Sequence, residues 1–435
     1  MRQRGLVSFF FLVSLGAMCA EAQTTSAPVP VSASSASNRL AEPPGLIYKE
    51  AMHPLDVVRA SFSNWSSSEL MALSGAMRAA RVACGATSPE VYAGDDLCDL
   101  ARLCALGQLW PQALDTAQQC IARGPEARRT HAYATEITAW AQMKNLNKAQ
   151  EAGLTLLRAQ PYDAEVATTI LGLKTALDVE MNSGRTLELE LAEQPAILAA
   201  LERHTVLTEE HGDALMSMGA LYNSAAQLAF LQYYNQDRGP ATETLASLDA
   251  ALGTTLKDED RVMIERVRTQ FHLLGARLPE LKLLRAFASP KAKPEIHPEA
   301  NRETILVLFP DWCVSCREQM KIVTEFNKLN AEQGILAYGL VFHDDFGVKE
   351  DKPVALDWKD LEGTATLLVD PSTVRTLGAI DYPLGVIVDH AGVVRFAGVM
   401  PDVAFSGDNS YAERLLLRII ARETVDSVRK TLGVK

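Results

Sequence analysis

Hydrophobic positions change their rhythm once along the ordered part of this chain. From about residue 47 to 287, apolar residues recur at helical spacing; Ala, Leu, Glu and Gln dominate and β-branched alternation is scarce. That pattern predicts helices throughout. Breaks are expected near Asn182-Ser183-Gly184, Arg238-Gly239-Pro240 and Leu278-Pro279. Residues 288–301 mix Pro290, Pro294 and Pro298 with lysines and read as an extended linker. Beyond it, Ile305–Phe309 and Ile335–Phe342 are short runs apolar on both faces, the pattern of central strands covered by helices. A helix is predicted between them, from about Cys313 to Leu329, with Met320, Val323, Phe326 and Leu329 on its core side. Strand, helix and strand at this spacing imply a right-handed parallel crossover. Residues 343–363 are polar and acidic and read as an insertion. A short strand at Thr366–Val369 and a short helix from Pro371 to about Leu377 follow. Leu384–Val388 and Val393–Ala397 form an expected hairpin around Asp389-His390-Ala391-Gly392, and a last helix spans about Asn409 to Thr431. The expected fold class is therefore multidomain: an N-terminal all-α region over 47–287 and a C-terminal α/β domain over 302–435.

The helical region contains an internal repeat. Leu97, Leu100, Ala101, Cys104, Trp110, Ala113, Ala117, Cys120 and Pro125 recur thirty-six residues on as Tyr133, Glu136, Ile137, Trp140, Leu146, Ala149, Gly153, Leu156 and Pro161. Large residues sit on the first helix, small ones where the second crosses it, and Pro closes each unit. This order resembles tetratricopeptide (TPR) repeats, helix-turn-helix units that stack to share a core. It is clearest over 90–180; a third unit would start near Asp163, and its signal fades after Leu173 and Ala176. An antiparallel helical bundle is the alternative.

The first residues change the picture of compartment. Arg2 and Arg4 precede an apolar stretch, Leu6 to Ala17, and Ala20-Glu21-Ala22 fits a cleavage site, so residues 1–22 read as a signal peptide. The apolar stretch is too short to span a bilayer. Residues 23–46 are rich in Ser, Ala, Thr and Pro and read as a disordered tether. The expected location is extracytoplasmic, with the mature protein soluble. The formal net charge of -12 argues against nucleic acid or an anionic membrane surface as the main partner.

Export changes how the cysteines read. Cys84, Cys98, Cys104, Cys120, Cys313 and Cys316 remain after cleavage, and an even number in an oxidising compartment favours disulfides. Cys104 and Cys120 fall on facing helices of the first repeat, which makes a bridge between them geometrically reasonable and leaves Cys84 with Cys98. Reduced core thiols are the alternative. Gaps of thirteen, five and fifteen residues lack the paired spacing of a zinc site, and the His residues show no ligand spacing. His343 reads as surface. No metal or cofactor is expected.

Cys313-Val314-Ser315-Cys316 lies between a strand and a helix. Only a thiolate attacks a disulfide, and a free Cys has a pKa of about 8.5. At a helix start, unpaired N–H groups and the dipole lower it. Cys313 is then the nucleophile, and Cys316, one turn in, resolves the mixed disulfide.

Three features together resemble the thioredoxin superfamily, and within it the exported TlpA-like thiol–disulfide oxidoreductases. They are the strand–Trp312-Cys313-x-x-Cys316–helix, the mid-domain insertion, and Asp381-Tyr382-Pro383-Leu384-Gly385-Val386-Ile387-Val388-Asp389 before a Gly turn. The wording around the cysteines is also similar to the C-terminal thioredoxin domain of DsbD. The resemblance implies a thioredoxin-like fold, a cis Pro383 facing the cysteines, and substrate contacts from Trp312, Tyr382 and Pro383. It favours a reductase of protein disulfides over an oxidase, fed by a DsbD-like or CcdA-like membrane electron carrier. The chain departs from the family at three places. Val314-Ser315 replaces the frequent Pro before the second Cys, Val307 stands where thioredoxins bury an Asp, and Gln319 stands where some relatives carry Glu. No proton-transfer carboxylate is assigned; Glu318, Asp344 and Asp345 are the nearest candidates. The alternative function is an interaction scaffold, whose TPR-like region binds a peptide or protein partner beside a secondary or inert redox domain.

Overall fold

The computed structural model describes residues 42–60, 67–206, 216–252, 256–289, 293–296, 303–343, 358–401, 404–405 and 410–420. The expected signal peptide, nearly all of the tether, most of the acidic insertion with Asp344 and Asp345, parts of the Pro/Lys linker and the end of the last helix lie outside them. The chain divides into two compact units, one up to Ala152 and one from Gly153.

The first unit holds helices α1 (Pro44–Ala60), α2 (Ser67–Gly85), α3 (Gly94–Leu106), α4 (Trp110–Arg123), α5 (Arg129–Gln142) and the start of α6 (Leu146–Ala159). α1 begins inside the stretch expected to be tether. Pro44 is buried in its first turn, where a helix has no use for the missing N–H. The core is built from Leu55, Leu97, Leu100, Leu103 and the four cysteines. Those cysteines are bridged, but not in the expected pairs: Cys84 joins Cys104 and Cys98 joins Cys120, with Cα–Cα separations of 5.1 and 5.2 Å. The reason is helical phase. Cys98 and Cys104 lie six residues apart on α3, roughly 120° around a helix of about 3.6 residues per turn. They therefore face different neighbours, Cys98 towards α4 and Cys104 towards α2, and α3 is stapled on both sides.

The turn between α3 and α4 recurs. Gln108 has φ 56°, Lys144 between α5 and α6 has φ 60°, and the same conformation returns at Met181 and Gln236. In each case the next residue's N–H closes the turn on a carbonyl five back: Leu109 on Cys104, Asn145 on Trp140, Asn182 on Leu177, Asp237 on Gln232. The later two turns join α7 (Ala164–Val179) to α8 (Ser183–Val206) and α9 (Met218–Tyr234) to α10 (Arg238–Ala251). Helical hairpins with one turn geometry thus continue past the point where the sequence signal fades.

These helices and α11 (Asp258–Leu273) belong to the second unit, together with a sheet. A charged network is buried between α7 and α8. The Lys174 ammonium lies 2.8 Å from both Glu190 and Glu193, and the Tyr162 hydroxyl donates to Glu193 at 2.6 Å. Burial pushes the Glu190 carboxyl up to about 8 and Asp178, one turn beyond Lys174, up to about 6.

The sheet is six-stranded, in the order β1-β4-β3-β2-β5-β6. Its strands are β1 (Leu283–Ala286), β2 (Glu303–Pro310), β3 (Ile335–Phe342), β4 (Thr366–Val369), β5 (Leu384–Val388) and β6 (Val394–Val399). β2, β3 and β4 are parallel, with α12 (Val314–Asn330) connecting the first two; β5, β6 and β1 run antiparallel to their neighbours. α13 (Ser372–Thr376) and a helix over 411–420, here α14, complete the described elements. β1 was not foreseen. It precedes the Pro/Lys stretch, spans four residues with two exposed in succession, and so lacks a strand's alternation.

Met320, Val323 and Phe326 are buried on α12 as expected, whereas Leu329 is 76% exposed. Nine residues at about 100° each carry Leu329 to the side opposite Met320, and Asn330 takes the buried place instead. The far edge, β6, is covered by the chain just after α11 and by Tyr234 on α9. Gly275 N–H donates to Val394 O and Val394 N–H to Ala276 O, both at 2.8 Å. The Tyr234 hydroxyl donates to Ala397 O at 2.6 Å, while its ring stacks on Phe396 with centroids 5.1 Å apart. Arg414 on α14 donates to Val179 O at 2.6 Å.

Candidate functional site

β2 is buried along nearly its whole length, as its apolar run requires, and its last residues deliver the cysteines to the sheet's rim. Asp311 N–H continues the ladder to Phe342 O at 2.9 Å, and Cys313 N–H then turns back onto Pro310 O at 3.0 Å. Cys313 is the N-cap of α12, with extended backbone (φ -74°, ψ 92°). Its sulfur accepts the backbone N–H of Cys316 at 3.3 Å, the place where a capping oxygen normally sits. The two cysteines are bridged, with Cα atoms 5.3 Å apart. They differ in access: Cys313 is half-buried, whereas Cys316 is 2% exposed. A sulfur at a helix N-cap receives the positive end of the dipole and unpaired N–H groups, which favour its anionic form.

The loop before β5 closes over the same place. The Tyr382–Pro383 peptide is cis, and Pro383 O accepts from Met400 N–H at 2.9 Å. Pro383 and Cys316 share the wall of a cavity of about 10 Å³ with Val307, Met320, Met400 and Phe405 among its other lining residues. A space of that size holds one water at most. Two glycines make room for its methionines: a Cβ on Gly385 would collide with Met400, and one on Gly339 with the Met320 sulfur. Trp312 and Tyr382 are half-buried, and the Tyr382 ring lies 5.5 Å from that of Phe342.

The structure thus gathers Trp312, Cys313, Cys316, Tyr382 and Pro383 around the start of α12. Cys84, Cys98, Cys104 and Cys120 belong to the other unit. Glu318 is exposed and faces Lys321 at 3.4 Å. Two features escaped the sequence. His343 is exposed, as expected, but its Nδ1 also lies 2.5 Å from the carboxylate of Asp311, which is 9% exposed. The β2–β3 register, Pro310 beside Phe342, brings the two together one step further on. Gln319 also lines the cavity, and its Oε1 is enclosed without a hydrogen-bond partner among the described residues.

No family model matches this chain, and no curated protein does. Among solved structures it is similar to a thioredoxin-like protein from Bacteroides caccae ATCC 43185. The likeness is 12% identity over 62% of this chain and 93% of that chain, with a TM-score of 0.27. At that distance it assigns no residue a role.

Proposed function

We propose that this protein is an exported thiol–disulfide oxidoreductase with a thioredoxin-like, TlpA-like C-terminal domain over 302–435. The observation that carries the reading is the asymmetry of the bridged pair: Cys313 caps α12 and is partly open, while Cys316 lies enclosed behind it. In the reducing direction, the Cys313 thiolate attacks a substrate disulfide, forms a mixed disulfide and expels one substrate thiolate. Cys316 then attacks the Cys313 sulfur, closing the internal disulfide and releasing the second substrate thiol. The substrate gains two electrons and two protons, and the pair loses them. Substrates are protein disulfides, docked on Trp312, Tyr382 and Pro383. A reductase outside the cytoplasm draws its electrons from a membrane carrier of DsbD-like or CcdA-like type.

Trapping tests this reading. Cys316→Ser should accumulate a mixed disulfide at Cys313 with glutathione and with protein partners, and Cys313→Ser should not. A Cys313–Cys316 bridge that resists glutathione and dithiothreitol in the folded protein would overturn it. A second reading draws on the recurring hairpin turn at Gln108, Lys144, Met181 and Gln236. TPR-like helices that bind a peptide partner would make the redox domain secondary. In that case Cys313→Ala would retain cellular function and deletion of 90–180 would abolish it.

A further inference from the structure

The cavity behind Cys316 carries one chemical mismatch. Val307, Met320, Pro383, Met400 and Phe405 line it with apolar atoms, and Gln319 alone among the lining side chains brings an amide. Its Oε1 is enclosed and accepts no hydrogen bond from any of the described residues. A buried acceptor left open is uncommon and calls for a physical reason. The bridged state supplies one, because neither sulfur then carries a hydrogen. Reduction places a hydrogen on Cys316, which is three residues from Gln319 on α12 and therefore its neighbour on the helix surface.

We infer that Gln319 is a positioning residue for the dithiol: its Oε1 accepts the thiol hydrogen of Cys316, satisfying in the reduced state the acceptor that the disulfide leaves open. This rests on the reading that the pair exchanges. Two consequences follow. The bond exists only in the dithiol, so it favours reduction of the bridge, written as protein disulfide plus two glutathione thiols giving protein dithiol plus glutathione disulfide. A neutral amide also cannot take the proton that Cys316 must lose before it resolves a mixed disulfide. That proton goes to solvent, so resolution accelerates about tenfold per pH unit below the thiol's pKa.

The experiment equilibrates the full chain with glutathione buffers and maps the 313/316 peptide after alkylation. Gln319→Met keeps length and removes the acceptor. It should move the equilibrium about tenfold towards the disulfide, about 30 mV more negative. Gln319→Glu, which restores an oxygen and adds a base, should return the equilibrium towards that of the native chain at acidic pH and speed resolution at neutral pH. A shift under about twofold in Gln319→Met, or one towards the dithiol, overturns the inference. If the native chain itself fails to exchange, the oxidoreductase reading falls instead. Should Gln319→Met not fold, the Cys19→Ser, Cys313→Ser chain keeps Gln319 and leaves Cys316 as its free thiol. Its infrared S–H band should lie below that of an unbonded thiol, and an unshifted band overturns the inference.

Discussion

Gly385 marks how tightly single residues set the cavity behind Cys316. Any side chain there meets Met400, whose backbone is itself pinned to Pro383. Gly385→Ala should destabilise the second unit by about 1–3 kcal/mol, the usual cost of forcing atoms into a packed interior. Thermal denaturation followed by circular dichroism measures it, and an unchanged midpoint would mean that Met400 moves freely. At this scale the sequence was a good guide where the chemistry is local. Cys313, Cys316 and Pro383 lie in contiguous motifs, and the structure puts them together. It was a poor guide where partners meet through register or phase. Asp311 and His343 pair because β2 and β3 align, and Cys104 turns to α2 because six residues do not complete a whole number of helical turns. The register is not written in composition, and the six-residue spacing gives the phase of Cys98 and Cys104 but not which helix lies on which side.

Between α7 and α8 one ammonium faces two buried carboxylates, with Asp178 nearby, so these elements are sensitive to pH. Burial raises both Glu190, to about 8, and Asp178, to about 6. A carboxyl whose pKa is raised on folding keeps its proton longer in the folded state than in the unfolded chain. Its contribution is therefore complete below the unfolded pKa and is lost as pH climbs through the folded one. Denaturation midpoints should fall as pH rises from about 5 to 8. Asp370, held below the usual carboxylate range by its hydrogen bond from Lys282, titrates under this window and does not mask it. Glu190→Gln stays neutral throughout, so it should flatten the decline above about pH 6. A midpoint that rises over this range would contradict the assignment. Lys174→Met leaves the carboxylates without their cation and should cost about 3–5 kcal/mol, seen in urea denaturation. The elements themselves were largely legible, because β2 and β3 are continuous apolar runs and α12 has helical periodicity. β1 was not, since four residues with consecutive exposed positions carry no period at all.

At the scale of the whole chain, the Pro/Lys stretch looks like a boundary in sequence, yet the elements on either side of it belong to one compact unit. Its neighbours explain why. β1 comes before it and pairs with β4, register Leu283 to Val369 and Ala286 to Leu367. The exposed flank of β6 is capped by residues 275–278 and by Tyr234, whose hydroxyl both donates to Ala397 O and accepts from Ala397 N–H at 3.3 Å. A chain beginning at residue 288 would lose β1 at one edge of the sheet and uncover backbone groups at the other. Open edges with unpaired N–H and C=O groups recruit further strands. Such a chain should self-associate and unfold at lower denaturant than the full protein, whereas one beginning at Gly153 keeps both covers and should stay monomeric. Light scattering and urea titration of the two chains decide the matter. If the shorter chain were monomeric with an undiminished midpoint, the α/β part would be self-sufficient and the helices α7–α11 a mere attachment. Tyr234→Phe gives the graded version of the same test: it deletes the hydroxyl that closes the β6 edge and keeps the ring on Phe396. It should cost about 1–2 kcal/mol, since Ala397 would be left with an unpaired backbone donor and acceptor.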